Sequence, residues 1–357
     1  MEKLRVAIIG QGRSGKNIHG KYYLSEDNKY YTVRYVVEAD ADRRAVAKER
    51  HPDCEVLADY RELLDKTDID LVVNASFSQM HFEITKDLLM HKFNVLCEKP
   101  LARNLYECDV LINLAKENGV LLAAFQQTFY APFYQHVLQI MEDKTIGDIL
   151  EVSIRYNAFS RRWDWQTLQK KMGGSTYNTG PHPIGMALGT LGFDKNARVA
   201  FSRLASTPLT SGDADDYCKL ILVAPDKPVV DLEICSTDAY SNYTIKLQGT
   251  RGTFKCTPKA YEYQYIVDGE NPEREVVEGF LADAEGKPVY CSEKLVRHEE
   301  KGTYNGTAFD VGTAKIYEEI YFAITEDKEM YVTAETARSI VGVIEQIHAE
   351  NPLRVMF

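Results

Sequence analysis

Two side chains of this sequence, Lys99 and His182, could move a proton at one carbon atom, and a third, Asn178, could orient a hydroxyl there. Lys99 stands in CEKP (97–100), directly after an apolar run. A lysine at a strand end can hydrogen-bond an alcohol or carbonyl oxygen, stabilise a developing alkoxide, and relay a proton where burial lowers its pKa. Taken alone, a lysine before a proline is more often a surface charge, and it is its place after a fourth strand that gives it this role. Asn178 and His182 lie four apart in GGSTYNTGPHPIGMALGTLG (173–192), so a helical or tightly turned segment puts them on one face. A histidine there can accept a hydroxyl proton as hydride leaves the adjoining carbon, or can simply cap a helix. Just upstream, SRRWDWQTLQKK (160–171) gathers two arginines and both tryptophans of the chain. Ring faces beside polar groups suit a sugar or cyclitol, and arginines suit a carboxylate or phosphate. Arg162, Trp163 and Trp165 therefore join Lys99, Asn178 and His182 as candidates for a substrate pocket. The same cluster would also serve as strand-to-loop packing with solvated charges.

The hydride acceptor is suggested by GQGRSG (10–15), which follows an apolar strand near the N-terminus and precedes a helical stretch. Gly10 allows a tight turn, Gly12 lets the backbone approach a pyrophosphate, Gly15 lets helix and strand pack closely, and the helix N-terminus favours the anion. Gln11, Arg13 and Ser14 complete the loop. Glu38 ends the second strand at about the spacing expected of the acid that holds the adenosine ribose hydroxyls, and its charge would repel a 2′-phosphate. NAD is expected over NADP, although Arg43 and Arg44 follow closely and could offer a phosphate partner. Ala75 and Ser76, His81, Glu98 with Lys99, and Gln126 are the further cofactor candidates. No spacing of His, Cys, Asp or Glu suggests a metal site.

These groups need elements that bring them to one edge. LRVAIIG, VRYVVEA, IDLVVNAS, FNVLCEKP and VLLAAFQQ are apolar runs of the kind buried on both faces, and amphipathic helical patterns alternate with them. That alternation predicts a parallel sheet with helices on both sides over residues 1–128, whose strand C-termini carry the ligands. From 129 to 357 the texture changes: six strand-like segments follow one another before helical periodicity returns at 309–350. This predicts an α+β domain with a large, mostly antiparallel open sheet, so the fold class is α/β with a Rossmann fold first.

Composition closes off several classes. At 357 residues, two domains can each bury a core, and 45% hydrophobic with 27% charged residues is an ordinary globular balance. A net charge of −11 argues against nucleic acid as the main partner. No run approaches the length of a membrane span and the start shows no signal-peptide pattern, so a cytoplasmic location is expected. The seven cysteines are scattered and read as reduced thiols.

GQGRSG, Glu38, the NAS turn (74–76), CEKPLA and GGxxxNxGPHP, in that order, resemble the glucose-fructose oxidoreductase/inositol dehydrogenase/rhizopine catabolism family, Gfo/Idh/MocA, over nearly the whole chain. Within it, GQGRSGKNIHG and the segment from ERHPDC to VVNAS look most like the scyllo-inositol dehydrogenase branch. The resemblance implies reversible hydride transfer between nicotinamide and a secondary alcohol of a sugar, cyclitol or related polyol, in a homodimer or homotetramer built on one face of the second sheet. It makes Lys99 the lysine of the family's EKP motif and His182 the histidine of its DxxxH motif. This chain departs at Asn178, where the full motif has aspartate; an amide can hold a hydroxyl but cannot stabilise a histidinium by charge. The family also contains NAD-dependent glycosidases that oxidise and re-reduce one sugar, and a cofactor-binding sensor is a further reading, against which Lys99 and His182 both stand.

Overall fold

The computed structural model describes residues 2–357. Its first layer is a six-stranded parallel sheet of β1 (Leu4–Ile9), β2 (Tyr31–Val37), β3 (Glu55–Leu57), β4 (Leu71–Asn74), β5 (Val95–Cys97) and β6 (Leu122–Ala124), in the order β3-β2-β1-β4-β5-β6. The connections hold α1 (Gly20–Tyr23), α2 (Ala41–Arg50), α3 (His81–Met90) and α4 (Leu105–Asn118). The chain leaves β1 for β2 on one side and returns to β4 on the other, so a crevice opens at the C-terminal end of β1. Ile9 pairs with Val37 and Asn74, Asn74 with Cys97, and Cys97 with Ala124. That register lines up the residues that follow each strand, Gly10, Glu38, Ala75 and Glu98, along one edge.

After α5 (Pro132–Glu142) comes an eight-stranded sheet: β7 (Ile149–Asn157), β8 (Arg198–Ala205), β9 (Tyr217–Val223), β10 (Val229–Cys235), β11 (Ile245–Gly249), β12 (Gly252–Cys256) and β13 (Ala260–Tyr265), with β16 (His298–Thr303) at one edge. Between β13 and β16 a small exposed hairpin, β14 (Leu281–Ala282) and β15 (Pro288–Val289), stands apart. Every pairing in the large sheet is antiparallel except β7 with β10. Two helices between β7 and β8, α6 (Ser175–Asn178) and α7 (Pro181–Thr190), carry the candidate residues, and α8 (Thr313–Glu326) and α9 (Ala334–Glu350) end the fold.

The inner face of the second sheet, with Val152, Ile154, Leu220, Leu222, Leu232, Leu247 and Phe254, is fully buried and continuous with one face of the first sheet, where Val6, Ile8, Val73 and Leu96 lie. The outer face carries ion pairs instead: Asp231 meets Arg155 at 2.8 Å and Lys219 at 2.5 Å, and Lys255 meets Glu262 at 2.7 Å. Helix α9 straddles the two layers. Its Ile340, Ile344 and Ile347 enter the shared core, while Ala334, Ala337 and Val341 pack with α4 on the far face of the first sheet.

Four strands were not anticipated from sequence: the edge strands β3 and β16, and the two-residue β14 and β15 of the exposed hairpin. β3 is only three residues long, and β16 (HEEKGT) is largely exposed, so neither needs the apolar pattern that marks a buried strand. The 93–100 run narrows to Val95–Cys97, because the chain must turn at Glu98 to present Lys99. Six cysteines are buried and Cys291 is exposed, all as free thiols. No helix among the described residues is long and apolar enough to cross a membrane.

Candidate active site

The glycine loop is set by close approach on two sides and open space on the third. Gly10 has φ +90°, and a Cβ there would lie 2.5 Å from the Ala75 carbonyl oxygen. A Cβ at Gly15 would lie 1.9 Å from the Gly10 oxygen, whereas at Gly12 it would meet nothing within 4 Å. Helical backbone begins at Arg13 and passes through a π-turn, Gly15–His19, into α1. Glu38 braces this loop: one carboxylate oxygen accepts the Gln11 N–H at 2.7 Å and the other the Asp40 N–H at 3.0 Å. Arg44 is turned away, donating to the carbonyls of Glu38 (2.8 Å) and Ala39 (2.6 Å).

Along the same edge, Asn74 shapes the turn after β4, its Oδ1 accepting the Ser76 hydroxyl at 2.7 Å while its amide donates to Thr85 at 3.0 Å. His81 is buried; its Nδ1 donates to the Pro100 carbonyl at 2.7 Å, tying the β4 turn to the CEKP loop. Burial holds this imidazole below the usual histidine range. Gln126, after β6, is buried with Oε1 free of any partner, and an unpaired buried acceptor is costly unless a ligand donor reaches it. The open side of Gly12 and the orphan oxygen of Gln126 fit a dinucleotide laid across this edge.

The candidate residues Lys99 and Asn178 meet between the first sheet's strand edge and the α6–α7 segment. Lys99 Nζ donates to the Asn178 carbonyl at 2.6 Å. Asn178 ends α6, and Thr179 and Gly180 break the helix before α7 starts at Pro181. Asn178 and His182 are therefore not on one continuous helix, and the offset frees the Asn178 carbonyl for Lys99. The Asn178 side chain accepts from Gln166 Nε2 at 2.9 Å, and Gln166 in turn accepts from Arg162. His182 Nδ1 lies 3.2 Å from the Thr128 hydroxyl. Beneath this segment the buried Asp215 takes both the N–H and the hydroxyl of Thr176, anchoring α6.

Burial lowers the Lys99 pKa, opposed by Glu98 and reinforced by the charges of Arg13 and Arg162. His182 is pushed down to about 3, first by burial and then by the Lys99 charge. At neutral pH the imidazole is therefore uncharged, and the amine gives up its proton more readily than a free lysine does.

Beside Asn178 opens a cavity of about 500 Å³, with Asn157, Ser160, Arg161, Arg162, Gln166 and Asn178 in its wall. That volume lies in the range of small-ligand sites. Trp165 packs edge-on against Phe77 of the β4 turn, ring centroids 5.1 Å apart, and so joins the two layers. Trp163 is 75% exposed and is not part of the cavity wall. Sequence reasoning missed Thr128, Gln166, Asp215 and His19; of these His19, inside GQGRSGKNIHG, and Gln166, inside SRRWDWQTLQKK, lay in stretches already singled out. Among the described residues, no group of three or more His, Cys, Asp or Glu is placed to hold a metal ion.

Residues 4–126 match a family described as an oxidoreductase family with an NAD-binding Rossmann fold, and residues 134–255 match the GFO/IDH/MocA C-terminal domain. The chain is 23% identical to the scyllo-inositol 2-dehydrogenase (NADP(+)) IolW of Bacillus subtilis, over 97% of this chain and 93% of that one. It is 24% identical to the 2,7-anhydro-N-acetylneuraminate hydratase of Mediterraneibacter gnavus, over 71% and 67% respectively. Among solved structures, KijD10, a 3-ketoreductase from Actinomadura kijaniata with NADP and TDP-benzene, superimposes with a TM-score of 0.77 at 19% identity, covering 98% of both chains.

Proposed function

The chain belongs to the Gfo/Idh/MocA oxidoreductase family, and from that premise we propose that it transfers hydride reversibly between NAD(H) and a secondary alcohol or ketone of a sugar, cyclitol or related polyol. The observation that carries this reading is the Lys99 amine held on the Asn178 carbonyl, with His182 near enough to feel its charge, next to a cavity in whose wall Asn178 stands, at the strand edge that holds the glycine loop. A bound nicotinamide would supply the two-electron acceptor. The loop 10–15, Glu38, Ala75, Ser76 and Gln126 would hold it, and the Glu38 carboxylate favours NAD over NADP because it repels a 2′-phosphate.

In the oxidation direction the substrate C–H bond breaks with its electron pair, and the hydroxyl proton passes to the neutral Lys99 amine as the carbonyl forms. In reduction the Lys99 ammonium returns that proton. His182, uncharged, positions the reacting oxygen by hydrogen bonding. Asn178 fixes the Lys99 amine through its carbonyl and is itself steadied by Gln166. On this reading residues 1–128 serve the cofactor and 129–357 serve substrate and self-association, in a cytoplasmic homo-oligomer.

The test is nicotinamide absorbance of the purified protein with NAD or NADP against inositols, aldoses, sugar acids and glycosides. Reduction by one class of polyol is expected, with Lys99→Gln lowering turnover about a hundredfold or more. Tight cofactor binding with aglycone release from glycosides and no net reduction would replace this reading with a redox-neutral glycosidase.

A further inference from the structure

Behind Lys99 runs a chain of buried polar groups that the proposed proton transfer does not itself use. His19, in the π-turn after the glycine loop, is fully buried, and Glu98 is 4% exposed. His19 Nε2 lies 3.2 Å from Glu98 Oε1, and Nδ1 lies 2.7 Å from the hydroxyl of Tyr317 on α8. The Phe125 ring packs at an angle of 61° against the imidazole, centroids 4.4 Å apart. The other Glu98 oxygen accepts the Lys99 N–H at 3.1 Å. A carboxylate only accepts, so His19 Nε2 carries the proton. The phosphate-binding helix, the CEKP loop and α8 are thus joined at one imidazole.

The charges around the pair make this junction matter. Glu98 faces His19, His81, Lys99 and Tyr317, and Lys99 faces Glu98, Arg13, Arg162 and His182. Glu98 is the anion whose charge supports the Lys99 ammonium. Burial alone would push the Glu98 carboxyl up, yet its hydrogen bond to His19, followed by the charges of His19, Lys99 and His81, holds it at about 2. Without His19, the buried carboxylate would lose its main donor and its hold on the charged form.

We propose that His19 is a positioning residue for the hydride-transfer reaction proposed above: it holds the Glu98 carboxylate in its ionised form against the Lys99 main chain, and so sets the pH at which the Lys99 amine can take a proton. Tyr317 orients the imidazole from the C-terminal part of the chain, so the setting depends on the two layers being docked. The sign follows directly. Glu98 as an anion favours the Lys99 ammonium; loss of His19 removes that support and lets Lys99 deprotonate at lower pH.

The test reads Lys99 itself. Protein labelled with ε-13C lysine is titrated by NMR, with the Lys99 signal assigned by its absence in Lys99→Gln. His19→Leu should lower the Lys99 midpoint by about one pH unit or more, whereas His19→Gln, which still offers an N–H to Glu98, should keep at least half of the difference. The rising limb of kcat/KM for alcohol oxidation should move with the titration. A Lys99 midpoint unchanged in His19→Leu, while Glu98→Gln shifts it, overturns the proposal. Should His19→Leu not fold, 15N NMR of the wild-type histidines decides: a proton on His19 Nε2 is expected, and its absence overturns the proposal. Because the titration needs no substrate, a protein inactive on every alcohol would sink the dehydrogenase reading while leaving this measurement intact.

Discussion

Asn178 offers a carbonyl oxygen and an amide but no charge, and its effect is felt at two neighbouring residues. Its main-chain oxygen takes the Lys99 amine, and its side chain, held by Gln166, adds no charge to the surroundings of His182. With His182 held at about 3 and Lys99 lowered below the ordinary lysine value, the pH profile of alcohol oxidation should show a single limb. Activity rises as pH climbs through the Lys99 pKa and levels off above it, with no histidine limb between pH 5 and 8. Asn178→Asp places a carboxylate near His182, which favours the histidinium and raises its pKa. That variant should gain an acid-side limb in kcat/KM against pH. A profile identical to wild type would mean that position 178 does not govern the proton route.

At the scale of an element, the turn from β1 into the first helix separates shape from binding. Ala at Gly15 would drive a methyl group to 1.9 Å from the Gly10 oxygen, which the packed backbone cannot relieve. Gly15→Ala should lose about 2 kcal/mol or more of stability in urea unfolding. Gly12 faces open space, so Gly12→Ala should stay within about 1 kcal/mol of wild type while cofactor affinity falls about tenfold or more, a change of about 1.4 kcal/mol. Equal affinity in wild type and Gly12→Ala would mean the pyrophosphate lies elsewhere. The π-turn of the same element aims His19 inward at Glu98, a type of helix irregularity that recurs at functional sites.

For the molecule as a whole, the two layers are held by one core. Helix α9 comes from the far end of the chain, yet it closes the first sheet on one side and fills the shared core on the other. Ile340, Ile344 and Ile347 are each 1% exposed or less, and loss of one such side chain typically costs 2–5 kcal/mol. A chain ended after Val332 should therefore fail to fold cooperatively and fail to bind cofactor, as read by circular dichroism and by quenching of intrinsic fluorescence. Full cofactor affinity in that truncation would show that the first sheet stands without α9.

Much of this was legible in the sequence because it is local. Strands buried on both faces announce themselves as unbroken apolar runs, the spacing of Gly10, Gly12 and Gly15 is dictated by backbone approach, and CEKP and NxGPHP are contiguous motifs that carry the family resemblance. Edge strands β3 and β16 were not legible, since a strand with little buried surface has no pattern to show. Nor were the partners that give each motif its chemistry. That Lys99 meets the carbonyl of Asn178, that His182 meets Thr128, and that His19 and Tyr317 stand behind Glu98 depends on contacts spanning 79, 54 and 298 residues of chain. Such contacts, and the pKa shifts that burial and neighbouring charge impose, exist only once the two layers dock. The sequence by itself determined which residue types could do the chemistry; only the tertiary structure decided which of them meet, because burial and neighbouring charge act only between residues the docked layers bring together.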